Sequence, residues 1–231
     1  MFFDPLYLLF MAPAFLISLI AQFWVKGAFS KYSKITSQSG YSGAKAAYNI
    51  LKRNGIDDVS IEETTGFLGD HYDPRTKSLR LSPDVYRSNS LAALGVAAHE
   101  AGHALQHAQG YIPLHFRSHL VPVASIGSNL AWPLLFIGFF LKSMMMVEGG
   151  ILLFSGVVLF QLVTLPVEFN ASRRALAALR SSGLVSESEI SGSRKVLTAA
   201  AMTYVAAAAA AILQLLYFLL RAGLLGGSRD D

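Results

Sequence analysis

The chain contains no cysteine among its 231 residues. Disulfide bonds and thiolate chemistry are therefore excluded, and any bound metal ion must be held by histidine and carboxylate ligands. A chain without cysteine also fits a reducing compartment.

Charged residues are scarce as well. Only 15% of the residues are charged and 53% are hydrophobic, whereas in soluble domains about a quarter of the residues carry a charge. Four windows contain no charged residue and reach the roughly 20 apolar residues that a membrane-spanning helix needs. These windows are 6–25, 120–141, 149–167 and 199–220. The composition thus predicts a mainly α-helical, multi-spanning membrane protein with about four transmembrane helices.

The first window is interpreted as an anchor and not as a signal peptide. Asp4 precedes it where a signal peptide would carry Lys or Arg, and its apolar stretch exceeds a typical signal core. The fourth window is the weakest of the four, because alanine is only marginally lipophilic.

Two polar segments, 26–119 and 168–198, lie between these windows, and only the first is long enough to form its own core. Eleven of the 19 Lys and Arg residues lie in the first segment and five in the second. Basic residues are retained on the cytoplasmic side, and an even number of windows separates the two segments. Both are therefore predicted to face the cytoplasm.

The net charge of +4 does not indicate a nucleic-acid partner. The basic residues flank the apolar windows and form no motif that reads RNA or DNA. We therefore expect no nucleic acid among the partners.

Local patterns predict a small α+β region within 26–119. Ser42 can cap a helix that ends at Arg53, and the alternating residues 59–62 indicate a short strand. Residues 69–72 and 78–81 flank a turn-like segment and predict a β-hairpin. A longer helix is expected from 88–90 to about Gly110.

This longer helix carries His-Glu-Ala-Gly-His at 99–103, which matches the H-E-x-x-H pattern. Residues four apart project from one helix face, so His99 and His103 can bind one zinc ion. Glu100 can take the proton from a zinc-bound water, whose pKa the metal lowers to near 7. A glutamate on an otherwise apolar helix is costly to bury, which favours a catalytic site over a chance match.

A catalytic zinc ion needs a third protein ligand and an open position. His107 lies one turn further along, but a single straight helix cannot wrap three such positions around one ion. We expect it to be a partly exposed helix histidine, with a ligand or supporting role as the alternative. Gln106 and Gln109 stand where a metzincin carries Gly and His, which excludes that class.

Glu168 follows directly after the third window, on the side predicted for the zinc helix. Its position makes it a candidate for the third ligand. The alternative is a solvated residue at the membrane boundary.

Several segments together resemble a known family. They are the zinc motif, Tyr-Asp-Pro-Arg-Thr at 72–76, Leu-Arg-Leu-Ser-Pro at 79–83 and Pro-Val-Glu-Phe-Asn-Ala-Ser at 166–172. The chain resembles the bacterial neutral zinc metallopeptidases of the YugP type over nearly its whole length, and more distantly it is similar to HtpX-like membrane proteases.

The resemblance implies a zincin-like region in a bacterial cell membrane. It implies one zinc ion with His99, His103 and Glu168 as ligands and Glu100 as the catalytic base. It also implies a gluzincin arrangement, in which the third ligand comes from a second helix.

One position departs from the related gluzincins, which commonly place Asp four residues after the ligand Glu to orient a zinc histidine. Here that position is Ser172, with Asn170 nearby. The sequence therefore does not decide which group orients the zinc ligands. The candidates are Ser172, Asn170 and an acidic residue from elsewhere.

The oxyanion of a tetrahedral intermediate also needs a cationic or hydrogen-bonding group. The sequence offers four candidates without choosing among them, and the two arginines can instead be membrane anchors on the cytoplasmic side. The candidates are His71, Tyr86, Arg173 and Arg174.

The leading prediction is a zinc metalloendopeptidase that cleaves membrane or membrane-associated proteins, with a protein or peptide substrate and membrane lipid as partners. The edge of the predicted hairpin could align an extended substrate by main-chain pairing. An intramembrane-cleaving enzyme of the site-2 class is excluded, because no Asp lies within the four windows. The alternative from another class is a non-catalytic membrane scaffold or metal-binding partner protein.

Overall fold

A computed structural model describes residues 4–65 and 69–225. The described residues form seven α-helices and one three-stranded sheet. In chain order the elements are α1 (Pro5–Tyr32), α2 (Gly43–Arg53), β1 (Ser60–Glu63), β2 (His71–Asp73), β3 (Ser78–Leu81), α3 (Pro83–Tyr86), α4 (Leu91–Ala108), α5 (Ile112–Leu141), α6 (Met144–Ser181) and α7 (Ile190–Arg221).

Four helices are long and apolar enough to cross a membrane, which confirms the predicted mainly helical architecture. Their most apolar windows have mean hydropathies of 2.1, 1.6, 2.1 and 2.0 for α1, α5, α6 and α7. Each helix contains one of the four predicted windows and extends beyond it. The extension is largest in α6, where the helix passes Pro166 and continues to Ser181.

The contacts divide the chain into two compact units. The first comprises the residues up to Ile20, His115–Leu165 and the residues from Tyr204 onward. Its core includes the fully buried Tyr217 and Phe218 of α7. Phe218 packs edge-to-face on Phe154 of α6, with ring centroids 5.5 Å apart. Such pairs add favourable ring geometry to the burial of apolar area.

The second unit comprises Ala21–Leu114 and Pro166–Thr203 and contains the sheet and the short helices. The Ser42 hydroxyl accepts a hydrogen bond from the Lys45 amide at the start of α2, and Asn54 caps the other end. The helix buries an apolar face that includes Ile50 and Leu51. Both ends of α2 thus agree with the prediction.

The predicted hairpin is confirmed. Strands β2 and β3 pair antiparallel, with Tyr72 opposite Leu79. Strand β1 adds a parallel partner to β3, so the sheet order is β1-β3-β2 and β2 forms an edge. Leu79 and Leu81 are fully buried beneath the sheet, and β2 and β3 both pack on α4.

Helix α4 begins after Ser90, whose hydroxyl accepts from the Ala93 amide, and Gln109 caps its end. It is buried over most of its length because alanine and glycine allow its neighbours to approach closely. The closest approach is at Gly102, where an added Cβ would lie 2.7 Å from the carbonyl oxygen of Ala171 on α6. This contact holds the helix of the zinc motif directly against the helix that carries Glu168.

Candidate metal centre

Three side chains of α4 and α6 converge in the second unit. Nε2 of His99 lies 3.2 Å from Oε2 of Glu168, and Nε2 of His103 lies 3.7 Å from the same oxygen. One ligand atom from each of the three residues lies within 4.8 Å of the others. His103 and Glu168 are buried and His99 is half-buried. The structure thus brings together the three residues expected to bind zinc.

Both imidazole rings are oriented by polar groups on their other nitrogen. Nδ1 of His99 lies 3.2 Å from the hydroxyl of Ser172, and Nδ1 of His103 lies 3.0 Å from Oε1 of Gln106. An amide oxygen only accepts hydrogen bonds, so Nδ1 of His103 carries a hydrogen and donates the hydrogen bond to Gln106. In the neutral ring, Nε2 is then the nitrogen that can bind a metal ion, and it lies on the side of Glu168.

Gln106 connects the two helices of the site. Its side chain is fully buried, and its amide nitrogen donates to the carbonyl oxygen of Val167 at 2.8 Å and to Oδ1 of Asn170 at 3.0 Å. This role of Gln106 was not predicted from the sequence, where the residue only excluded a metzincin. The available signal was a polar residue three positions after His103 on an apolar helix face.

The three side chains fit a zinc ion. Two imidazoles and one carboxylate form a ligand set found in catalytic zinc sites. In a tetrahedral site with bonds of about 2.0–2.1 Å, ligand atoms lie roughly 3.3 Å apart, and the separations from Glu168 to His99 and His103 are close to this value at 3.2 and 3.7 Å. The residues could therefore hold one metal ion between them.

Glu100 lies beside this group and is only 7% exposed. Burial raises the pKa of its carboxyl group to about 7, against the opposing effect of His99. The negative charges of Glu168 and Asp70 contribute to the increase. A carboxylate with a pKa near the working pH is a more effective proton acceptor than a solvated one.

Asp70 was not among the predicted site residues. Its carboxylate accepts hydrogen bonds from the amide of Ser82 at 2.7 Å and from its hydroxyl at 3.0 Å. Burial raises the pKa of Asp70 despite these bonds. No sequence motif identifies Asp70, because its charge comes near Glu100 only when the hairpin folds.

His107 does not belong to the group of three ligand candidates found among the described residues. It is half-buried, as predicted, and its Nδ1 lies 2.8 Å from the hydroxyl of Tyr72 on β2. Burial raises the pKa of Tyr72 to about 12, so its hydroxyl stays protonated. The pair links the end of α4 to the edge strand.

Arg174 and Asn170 support the helix packing. Nε of Arg174 donates to Oδ1 of Asn170 at 2.6 Å, and its Nη1 donates to Gln109. The guanidinium also lies over the ring of Tyr111, 5.7 Å from its centroid. Asn170 contacts Gln106 and therefore reaches the zinc motif through another side chain.

The other oxyanion candidates are dispersed. Arg173 is exposed on α6, and Tyr86 is half-buried against the core of the second unit. His71 is exposed on β2, where its Nδ1 lies 2.7 Å from the carbonyl oxygen of Gly69. His71 lowers the pKa of Glu100.

Comparison with known proteins shows which family the chain belongs to. Residues 7–223 match the family described as "Putative neutral zinc metallopeptidase". The chain belongs to this family. It is also 49% identical over 205 residues to the "Putative membrane protease YugP" of Bacillus subtilis (strain 168), an alignment that covers 88% of this chain and 91% of that protein. No solved structure shows a significant match.

Membership in this family confirms the resemblance seen in the motifs, and it agrees with the group of two histidines and one glutamate in the structure. The matched residues extend from α1 to the end of α7, and they therefore include the four apolar helices, the sheet and α4. The chain is therefore a homologue of the "Putative membrane protease YugP", and two of its own histidines and one glutamate could hold a metal ion.

Proposed function

We propose that this protein is a membrane-embedded zinc metalloendopeptidase that hydrolyses peptide bonds of membrane or membrane-associated proteins. The convergence of His99, His103 and Glu168 beside the buried Glu100 carries this proposal. The third ligand comes from a second helix, which supports a gluzincin class.

One zinc ion is the proposed cofactor, held by His99, His103 and Glu168. When bound, it would supply Lewis acidity that polarises the scissile carbonyl and acidifies a water molecule. Glu100 accepts the proton of the attacking water and delivers it to the leaving amine. The same carboxyl group thus takes and releases the proton.

The edge of β2 is the proposed site for aligning the substrate. Among the described strands, β2 pairs with β3 on one side and has no partner on the other. It packs on α4, the helix of the zinc motif. An extended peptide can add to such an edge through main-chain hydrogen bonds. His71 on this strand is the oxyanion candidate that this arrangement favours.

The alternative function is a non-catalytic scaffold or metal-binding partner. The burial of Glu100 argues against it, because a structural metal site has no use for an additional carboxyl group that is costly to desolvate. The alternative predicts metal binding without hydrolysis.

Glu100→Gln distinguishes the two functions. The substitution keeps the size of the side chain and removes its proton-accepting oxygen, so we expect zinc to be retained and cleavage of an unfolded protein substrate to fall about 10²–10⁴-fold. Zinc content and cleavage rate are measured on the purified protein. Glu187→Gln is the matched control, since Glu187 is an exposed glutamate paired with Arg180. Normal proteolysis by Glu100→Gln would contradict the mechanism.

We also propose that the metal centre faces the cytoplasm of a bacterial cell, on the basis of the Lys and Arg distribution. Because the chain has no cysteine, single cysteines can report sidedness. We expect Lys45→Cys and Ser188→Cys to react with an impermeant maleimide only after cell lysis, and Met145→Cys to react in intact cells. The opposite pattern would reverse the orientation.

A further inference from the structure

A cavity of about 360 Å³ lies between α1 and α7 in the second unit. Helix α1 contributes Trp24, Lys31 and Tyr32 to its lining, and α7 contributes Arg194, Lys195 and Thr198. None of these residues belongs to the candidate metal centre. The cavity is therefore a separate feature of the structure.

The polar part of the lining is cationic. Lys31, Arg194 and Lys195 line the cavity, and no carboxylate does. Within residues 4–65 and 69–225, no acidic side chain forms an ion pair with any of the three. Three cations that repel one another around one cavity favour an anionic occupant.

The chemistry of these groups suits a phosphate. An arginine can bind phosphate oxygens with two parallel hydrogen bonds, and lysines add positive charge without demanding a fixed geometry. Nζ of Lys31 lies over the ring of Tyr32, 5.6 Å from its centroid. This contact holds the ammonium group at the cavity, and the Thr198 hydroxyl offers a neutral donor.

The cavity lies where both helices change from polar to apolar sequence. The uncharged window 6–25 of α1 ends just after Trp24, and the window 199–220 of α7 begins just after Thr198. Trp24 is 48% exposed at this boundary. Exposed tryptophans at the ends of apolar windows typically lie at the level of lipid headgroups. An occupant would thus have an anionic head beside the three cations and an apolar part along the helices.

We propose that this cavity binds an anionic glycerophospholipid, with its phosphate among Lys31, Arg194 and Lys195 and the start of its acyl chains against Trp24. Anionic lipids attract basic residues next to membrane spans in general. The proposal differs from that general attraction because it assigns one bound lipid to a defined cavity.

The cavity is connected to the zinc helix through α7. The hydroxyl of Ser193, next to Arg194, donates to the carbonyl oxygen of Leu91 at 2.8 Å, in the first turn of α4. Gly192 packs so closely that an added Cβ would lie 2.8 Å from Leu91 and 2.9 Å from Tyr32. A lipid that binds α1 and α7 together therefore stabilises the support on which α4 begins.

Native mass spectrometry of the full chain in detergent tests the proposal. We expect phosphatidylglycerol to bind with a stoichiometry of one and to raise the melting temperature, whereas phosphatidylcholine, which has a phosphate but no net charge, binds at least about tenfold more weakly. The triple variant Lys31→Gln, Arg194→Gln, Lys195→Gln should lose at least about tenfold in affinity for phosphatidylglycerol. All three side chains are exposed, and Lys31 contacts the ring of Tyr32. The fold should therefore tolerate the changes.

The matched control is the triple variant Lys26→Gln, Lys34→Gln, Lys45→Gln. It removes the same charge from exposed positions, two of them near the end of α1 and none in the cavity lining. The control should keep its affinity, and Lys31→Arg with Lys195→Arg should as well.

Equal losses in the two neutralised variants would show diffuse attraction and overturn the proposal. Saturation of the site by inorganic phosphate at the same concentration as the lipid would overturn the lipid as its occupant. If the cavity variant fails to fold, the wild type still decides the question, because a phosphatidylglycerol stoichiometry of zero, or equally tight binding of phosphatidylcholine, would contradict the site.

Discussion

At the residue scale, the metal centre depends on which nitrogen of each histidine is available. Gln106 fixes Nδ1 of His103 as the protonated nitrogen, and Ser172 contacts Nδ1 of His99. The departure noted at Ser172 is thus partly compensated, because its hydroxyl reaches His99, one of the proposed zinc ligands. Gln106 is the polar partner of Nδ1 of the second histidine, His103.

Replacing Gln106 by Leu tests this orienting role. Gln106→Leu removes the acceptor for His103 and leaves the carbonyl oxygen of Val167 and Oδ1 of Asn170 without this donor. Groups that orient metal ligands typically change metal affinity 10–100-fold, so we expect a zinc affinity roughly that much weaker. A competitive zinc titration measures it.

Gln214→Leu is the control for Gln106→Leu. Gln214 is also a buried glutamine on a helix, and its amide nitrogen has no hydrogen-bond partner among the described residues. Zinc affinity should not change in this variant. If both variants bound zinc like the wild type, Gln106 would have only a packing role.

The sequence predicted the reactive residues more completely than the residues that orient them. His99, Glu100 and His103 follow from a spacing within one helical turn, which is a local property. The contacts of Gln106 with Val167 and of Asp70 with Ser82 join positions 61 and 12 residues apart. Such contacts depend on the packing of elements and leave no pattern in the sequence.

At the element scale, the separation of α4 and α6 sets the geometry of the ligands. Gly102 lies between the two zinc histidines and faces the backbone of Ala171 on α6. A backbone atom cannot rotate away as a flexible side chain can. Any side chain at position 102 must therefore push α6, and Glu168 with it, away from α4.

Gly102→Ala is expected to lower the free energy of unfolding by about 1–3 kcal/mol, the usual cost of overpacking, and to weaken zinc binding. Thermal unfolding and zinc titration measure the two effects. In Gly149→Ala the new methyl group meets nothing within 4 Å, so alanine's higher helix propensity should leave stability unchanged or slightly raised. Equal behaviour of the two variants would refute the role of close packing.

The helix caps and the hairpin were predictable because their signals are local. Ser42, Asn54 and Ser90 occupy the cap positions that their side chains indicate. The parallel pairing of β1 with β3 was not predicted, because it joins segments separated by β2 and its flanking loops. The window 149–167 did not give the bounds of α6, since it reports hydropathy and the helix continues through Ser181.

At the scale of the whole molecule, membrane architecture and metal chemistry depend on the same helix. Helix α6 contains the apolar window 149–167 and, directly after it, Glu168. The carboxylate that completes the ligand group therefore lies at the end of a candidate membrane span. This arrangement is consistent with substrates that are membrane proteins or associate with the membrane.

The central claim is that His99, His103 and Glu168 bind one zinc ion. X-ray absorption at the zinc edge, measured on the wild type and on Glu168→Ala, tests it most directly. We predict one zinc ion per chain with two imidazole nitrogens and a carboxylate oxygen in its coordination shell, and loss of that oxygen with weaker binding in Glu168→Ala. An unchanged shell and unchanged affinity in Glu168→Ala would contradict the claim.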